Sequence, residues 1–102
     1  MHFTELDTPA LCIDLDVLEK NIDDLQSTCN RLEIPLRVHT KTHKTPAIAR
    51  KQIAAGAIGI VSQKLGEAEA MAAGDIEDIL IPYNIVGKAK LARLTSLVLS
   101  GQ

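Results

Sequence analysis

The stretch Arg37-Val38-His39-Thr40-Lys41-Thr42-His43-Lys44-Thr45 carries two of the chain's three histidines and two of its lysines, a density of ionisable groups found nowhere else in the sequence. An apolar run, Leu36 to Val38, leads into it. If the backbone stays extended, His39, Lys41 and His43 point to one face, because strand side chains alternate with a period of two. A lysine at the carboxyl end of a strand, desolvated by a protein wall and flanked by other cationic groups, is pushed toward its neutral, nucleophilic form. That form is what imine formation with a carbonyl compound requires. His39 and His43, four apart, would otherwise suggest a metal pair, but no HExxH signature and no third ligand accompany them. The plain alternative is a solvated basic turn.

The residues that must position this cluster follow a regular alternation. Four apolar runs, Ala10 to Ile13, Leu36 to Val38, Ala57 to Val61 and Ile79 to Ile81, are each too short for a helix and read as strands. Between them lie helical patterns. Leu18, Ile22, Leu25, Cys29 and Leu32 form one apolar face, with Asp16 and Glu19 as a capping-box start. A second helix begins at Thr45-Pro46, where Thr caps and Pro suits the first position, and ends at Gly56. A third runs from Leu65 to about Ala73 and ends at Gly74. A fourth carries Leu91, Leu94 and Val98 and stops near Gly101. Strands alternating with helices at this spacing predict a parallel α/β fold of four βα units, either doubly wound or part of a closed barrel. In both architectures sites form beyond the carboxyl ends of the strands, where the His and Lys cluster falls. No glycine-rich turn follows the first strand and no phosphate loop follows any strand, which removes the common nucleotide-binding classes.

Composition narrows the function further. The 102 residues have a net charge of −2 with one Tyr, one Phe and no Trp, so neither a basic footprint nor an aromatic stacking platform for nucleic acid exists. No apolar run is long enough for a membrane span, and the first residues lack a signal-peptide pattern, so no membrane contact and a cytoplasmic address are expected. Cys12 and Cys29 are expected as buried free thiols rather than a disulfide. A closed barrel needs eight βα units and typically about 250 residues, so four units are expected to be the first half of a longer, C-terminally truncated chain.

Three segments together resemble a known family. They are Asp7-Thr8-Pro9-Ala10 leading into Ile13-Asp14-Leu15-Asp16, the string RVHTKTHKTPAIARKQIAAGA (37–57), and KLGEAEAMAAGDIEDILIPYNIVGKAKLARL (64–94). This pattern resembles the D-threonine aldolase and D-serine dehydratase group of fold-type III enzymes, which depend on pyridoxal 5′-phosphate and have an alanine-racemase-like N-terminal barrel. The family usually has Arg-Pro before the first His, and Val38 stands in place of that Pro.

The resemblance implies that Lys41 forms the Schiff base with pyridoxal phosphate, with Lys44 as its rival. His39, His43, Thr45 at the start of the second helix and Gln63 at the end of the third run are the remaining cofactor-binding expectations. Lys64 is equally well read as a capping or packing residue, Glu67 and Glu69 as complements to a helix dipole, and Tyr83 and Asn84 as loop structure or site hydrogen bonds. The implied activity is a lyase acting on a D-amino acid, either aldol cleavage of a D-3-hydroxy amino acid or elimination of water from D-serine. A homodimer and a divalent metal held by a separate C-terminal β domain are implied as well, and the 102 residues alone are expected to be inactive. An amino-acid racemase, a pyridoxal-phosphate carrier and a non-enzymatic α/β interaction module are the other readings.

Overall fold

A computed structural model of the chain describes residues 2–100. After a 3-10 turn at Phe3–Glu5, the elements are α1 (Leu15–Arg31), β1 (Arg37–His39), α2 (Pro46–Ala55), β2 (Gly59–Val61), α3 (Leu65–Ala72), β3 (Ile79–Leu80) and α4 (Lys88–Leu99). The three strands form one parallel sheet in the order β1-β2-β3. Arg37, Val38 and His39 sit opposite Gly59, Ile60 and Val61, and Ile60 and Val61 sit opposite Ile79 and Leu80. The alternation read from the sequence is therefore present, and the strand order advances without reversal. Right-handed crossovers in such a sheet put successive helices on the same side, which is the barrel pattern; a doubly wound sheet needs a reversal. The molecule measures 47 × 42 × 21 Å, as expected for one helix layer on one sheet layer.

The first apolar run is not a strand. Among the described residues Ala10–Ile13 pairs with no neighbour, and Leu11 is 96% exposed. A strand gains its stability from ladder hydrogen bonds and from a buried face, and this segment has neither here. Cys12 within it is consequently exposed rather than buried, while Cys29 is half-buried; both thiols are free.

The helices begin and end for identifiable reasons, some of them not those the sequence suggested. The cap of α1 is Asp14, not Asp16: its carboxylate accepts the Val17 N–H at 3.1 Å. Helix α2 starts with Pro46 in the first position, but the Thr45 hydroxyl does not cap it. Gly56 ends α2 with φ +126°, a conformation favouring glycine. The left-handed residue after α3 is Asp75, φ 63°, rather than Gly74. Gly74 serves a close approach instead, since a Cβ there would lie 2.4 Å from the Pro46 Cβ. The expected stop at Gly101 lies outside the described residues.

Val38 and Ile60, on one face of the sheet, pack with Ala49, Ala57, Met71 and Ile76 to form the core, flanked by Leu36, Ile53 and Ile79. The core is aliphatic, as the scarcity of aromatics requires. By the period of two, Arg37, His39, Val61 and Leu80 occupy the opposite face. There Arg37 makes a bidentate pair with Asp78 (2.7 and 3.1 Å) across Gly59, holding the Asp78 carboxyl below its ordinary range. Gly59 has φ +153°, and a Cβ on it would meet Arg37 Nη1 at 2.4 Å and the Asp78 carbonyl at 2.8 Å. Helix α1 joins α2 through the Glu19–Lys51 ion pair and buries Gln26 against Gly56.

Candidate functional site

Strand β1 ends at His39, and the expected extended run through His43 does not occur. Residues 40–43 form a turn closed by the Lys44 N–H on the Thr40 carbonyl at 2.8 Å, and Lys44 takes φ 49°. The chain has only six residues in which to leave the sheet and enter α2 on the helix layer, so it must turn. The turn is anchored by Thr40, which is fully buried. Its N–H and hydroxyl both donate to the Val61 carbonyl, at 2.9 and 3.1 Å. His39, Lys41 and His43 therefore do not share one face.

Each residue of the cluster has a distinct environment. His39 is half-buried; its Nδ1 accepts the Lys41 backbone N–H at 3.3 Å, while its Nε2 is buried without a partner. Lys41 is exposed, and among the described residues its amine makes no ion pair or hydrogen bond. His43 belongs to the turn. Its Nδ1 accepts the Thr45 N–H at 3.0 Å and its Nε2–H donates to Gln52 Oε1 at 3.2 Å. Burial pushes its pKa below the ordinary histidine value, against the opposing pull of those hydrogen bonds. The Thr45 hydroxyl donates to the His43 carbonyl at 2.7 Å, so it too closes the turn.

Lys44 is tied elsewhere. Its ammonium pairs with Glu67 at 2.7 Å, and the second Glu67 oxygen accepts the Gln63 N–H at 2.9 Å. The Lys44 hydrogen bond is the main reason the Glu67 carboxyl lies below the usual carboxylate range, with burial opposing and backbone N–H groups assisting. Glu67 thus clips the β1–α2 turn to the first turn of α3. Glu69 pairs with Arg93 of α4, which likewise depresses its pKa.

These clips border an open cleft of about 750 Å³ beyond the carboxyl ends of β2 and β3. Lys44, Gln63, Lys64, Tyr83 and Asn84 come together there, as do Lys90 and Arg93 of α4. His39, Lys41, His43 and Thr45 do not line it. Lys90 and Arg93 escaped the sequence reading, which took the fourth helix only by its apolar positions; the basic Lys88-Ala89-Lys90 at its start was the available signal. Among the described residues no three His, Cys, Asp or Glu side chains converge as a metal site would require, and no helix is long and apolar enough to cross a membrane.

The exposed Lys41 amine at the end of β1, with no partner among the described residues, is free to react with a carbonyl ligand. No family model matches the chain. It is 46% identical over 92 residues to the D-threonine aldolase of Arthrobacter sp, an alignment covering 90% of this chain and 24% of that enzyme. It is 36% identical over 102 residues to the 3-hydroxy-D-aspartate aldolase of Paracoccus denitrificans, covering 99% of this chain and 26% of that one. Among solved structures, the D-threonine aldolase from Filomicrobium marinum superposes with a TM-score of 0.91 at 42% identity, over 95% of this chain and 26% of that chain. The D-threo-3-hydroxyaspartate dehydratase from Delftia sp. HT23 gives 0.87 at 38%, over 95% and 25%. The alignments and superpositions run along almost the whole chain at 36–46% identity, and the chain belongs to this group of D-threonine aldolases and hydroxyaspartate aldolases and dehydratases, spanning about a quarter of their length.

Proposed function

We propose that this chain is the cofactor-holding part of a pyridoxal-phosphate-dependent lyase acting on D-3-hydroxy amino acids. The observation that carries the reading is the contrast between the two lysines: Lys41 has an exposed amine with no partner among the described residues, whereas the Lys44 ammonium is held by Glu67. Lys41 would hold the cofactor through its amine, and His39 Nδ1 accepts the Lys41 backbone N–H. When bound, pyridoxal phosphate supplies an electron sink for the pair released as a bond to the amino acid's α-carbon breaks. His43 and Thr45 act one step back, fixing the turn from which Lys41 projects. Gln63 offers its side chain from the cleft wall, while its backbone N–H is held by Glu67.

The remaining barrel units, a β domain, a second subunit and a divalent metal outside these residues belong to the same proposal, as does a cytoplasmic setting. The metal is supported by a cysteine variant of the Delftia dehydratase having been solved in a metal-free form. Aldol cleavage is the first choice of reaction, because the relative with the highest quoted identity is an aldolase; elimination of water is the second, through the dehydratase match.

The test is reduction of the intact polypeptide with borohydride in the presence of pyridoxal phosphate, followed by peptide mapping. Modification of Lys41, lost in Lys41→Ala and retained in Lys44→Ala, is the expected result. Modification of Lys44, or none, overturns the assignment, and no binding at all would favour the interaction module.

A further inference from the structure

The cleft beyond β2 and β3 and the lysine assigned to the cofactor do not coincide. Lys44 lines that cleft and Lys41 does not, so an aldehyde lodged there would meet Lys44. The two amines differ in what they must give up before reacting. A Schiff base forms when an amine lone pair attacks a carbonyl carbon, and one water leaves as a carbon–nitrogen double bond replaces the carbonyl. An ammonium has no lone pair to offer. Lys44 must therefore pass a proton to water and lose its 2.7 Å bond to Glu67, whereas Lys41 has no partner among the described residues to lose.

Glu67 is well placed to keep that bond. It stands in the first turn of α3 with its side chain nearly buried, and its second oxygen accepts the Gln63 N–H at 2.9 Å, so α3 and Gln63 position the carboxylate independently of Lys44. Its carboxyl lies below the usual carboxylate range and stays ionised at neutral pH. Lys64 and Lys90 provide the contrast. They line the same cleft, and neither makes an ion pair among the described residues, so Lys44 is the one lysine of the cleft held in this way.

We infer that Glu67 selects the reacting lysine: by holding Lys44 as its ion-pair partner it withholds that amine from an aldehyde in the cleft and leaves Lys41 to take the cofactor. Glu67 acts through Lys44 and is a positioning residue. This rests on the assignment of Lys41 as the cofactor lysine and adds the reason why its neighbour in the same turn does not compete.

The test treats the intact polypeptide with pyridoxal phosphate and borohydride, first with a single equivalent and then with excess, and maps the modified lysines. The single equivalent should mark Lys41. In excess, Lys44 of the wild type should be marked less than Lys64 and Lys90, which share its cleft and so cancel any general change in the attraction of phosphate. In Glu67→Gln the mark on Lys44 relative to those two should rise about two- to fivefold, the worth of an ion pair whose lysine is largely in water. Glu67→Ala should show the same rise, since both variants remove the charge. Should the variants fail to fold, the wild type in salt decides: the relative mark on Lys44 should climb between about 0.05 and 1 M sodium chloride as the pair is screened, and a flat response overturns the inference. An unchanged ratio in Glu67→Gln, a rise confined to Glu67→Ala, where Gln63 is released as well, or a wild-type Lys44 marked as heavily as Lys64 and Lys90 each overturn it too, and leave Lys41 standing when the single equivalent goes there. A single equivalent on Lys44 overturns both readings. A single equivalent on another lysine, with Lys44 unmasked in Glu67→Gln, keeps the masking by Glu67 and overturns only the Lys41 assignment.

Discussion

Glu67 offers a perturbation whose size can be worked from its contacts. One carboxylate oxygen takes the Lys44 ammonium at 2.7 Å and the other the Gln63 N–H at 2.9 Å. The Glu67 side chain is 11% exposed but that of Lys44 is 58% exposed, so water screens the ion pair and its worth is about 0.5–1 kcal/mol. Glu67→Gln removes the charge but keeps an oxygen for Gln63, and should cost about that much. Glu67→Ala also strands the Gln63 N–H, an unmet donor worth a further ~1–3 kcal/mol. The two variants should therefore differ by more than the ion pair itself contributes. Equilibrium urea unfolding of Glu67→Gln, Glu67→Ala, Lys44→Met and the Lys44→Met/Glu67→Gln double variant measures all four quantities. The cycle should return a coupling of about 0.5–1 kcal/mol, and amide exchange at Gln63 should accelerate in Glu67→Ala but not in Glu67→Gln. Equal costs for the two Glu67 variants, or additive single substitutions in the cycle, would refute the picture of Glu67 as a clip joining the lysine-bearing turn to α3.

Two further outcomes follow from the same geometry. Gly59→Ala should destabilise by about 2–4 kcal/mol, since φ +153° is unfavourable to a side chain and the new Cβ runs into the Asp78 carbonyl as well as the movable Arg37 guanidinium; a thermal midpoint within error of the wild type would show that the strand edge yields. For His43 the folded pKa lies below the unfolded value of about 6.5, so the unfolded chain binds the proton first. The stability this histidine provides is full above about pH 6.5 and is lost as pH falls through the folded pKa, at no more than ~1.4 kcal/mol per pH unit. The difference in unfolding free energy between wild type and His43→Gln should shrink over that window, above the acid range where Glu67 titrates; a difference independent of pH between 5 and 7 would refute the neutral, hydrogen-bonded His43.

Helices and strand alternation were legible because they rest on local rules: apolar spacing at i and i+4, Pro46 at a first helical position, Gly56 where a left-handed stop is needed. Three of the four apolar runs became strands, and the fourth shows the limit of the rule. Ala10–Ile13 has the composition of a strand, but strand identity depends on a partner, and nothing pairs with it among the described residues. Contacts distant in sequence were also hidden. Arg37 and Asp78 are 41 residues apart and Lys44 and Glu67 are 23 apart, and no periodicity links them. Gly74 was legible as a special position but for the wrong reason, because a close approach to Pro46 leaves no mark in the local sequence. The chemical cluster was found by composition, yet its geometry was misjudged. The period of two holds only while the chain is extended, and a six-residue passage to Pro46 cannot stay extended.

That misjudgement bears on how the site is built. Had the strand continued through His43, three ionisable side chains would stand side by side on the sheet, and each would perturb the others. The turn separates them into different tasks: His43 and Thr45 satisfy the turn's own polar groups, Lys44 is drawn to Glu67, and only His39 and Lys41 keep unmet capacity. The same division runs through the sheet, whose two faces differ by one residue in register. Val38, Thr40, Ile60 and Ser62 face inward, all buried, while Arg37 and His39 lie on the face opposite the helices. A one-residue slip of β1 would put Val38 on that face and drive Arg37 and His39 into the aliphatic core, at a cost far above any single contact described above. The register that stabilises the core is thus also what keeps Arg37 and His39 on the face opposite the helices.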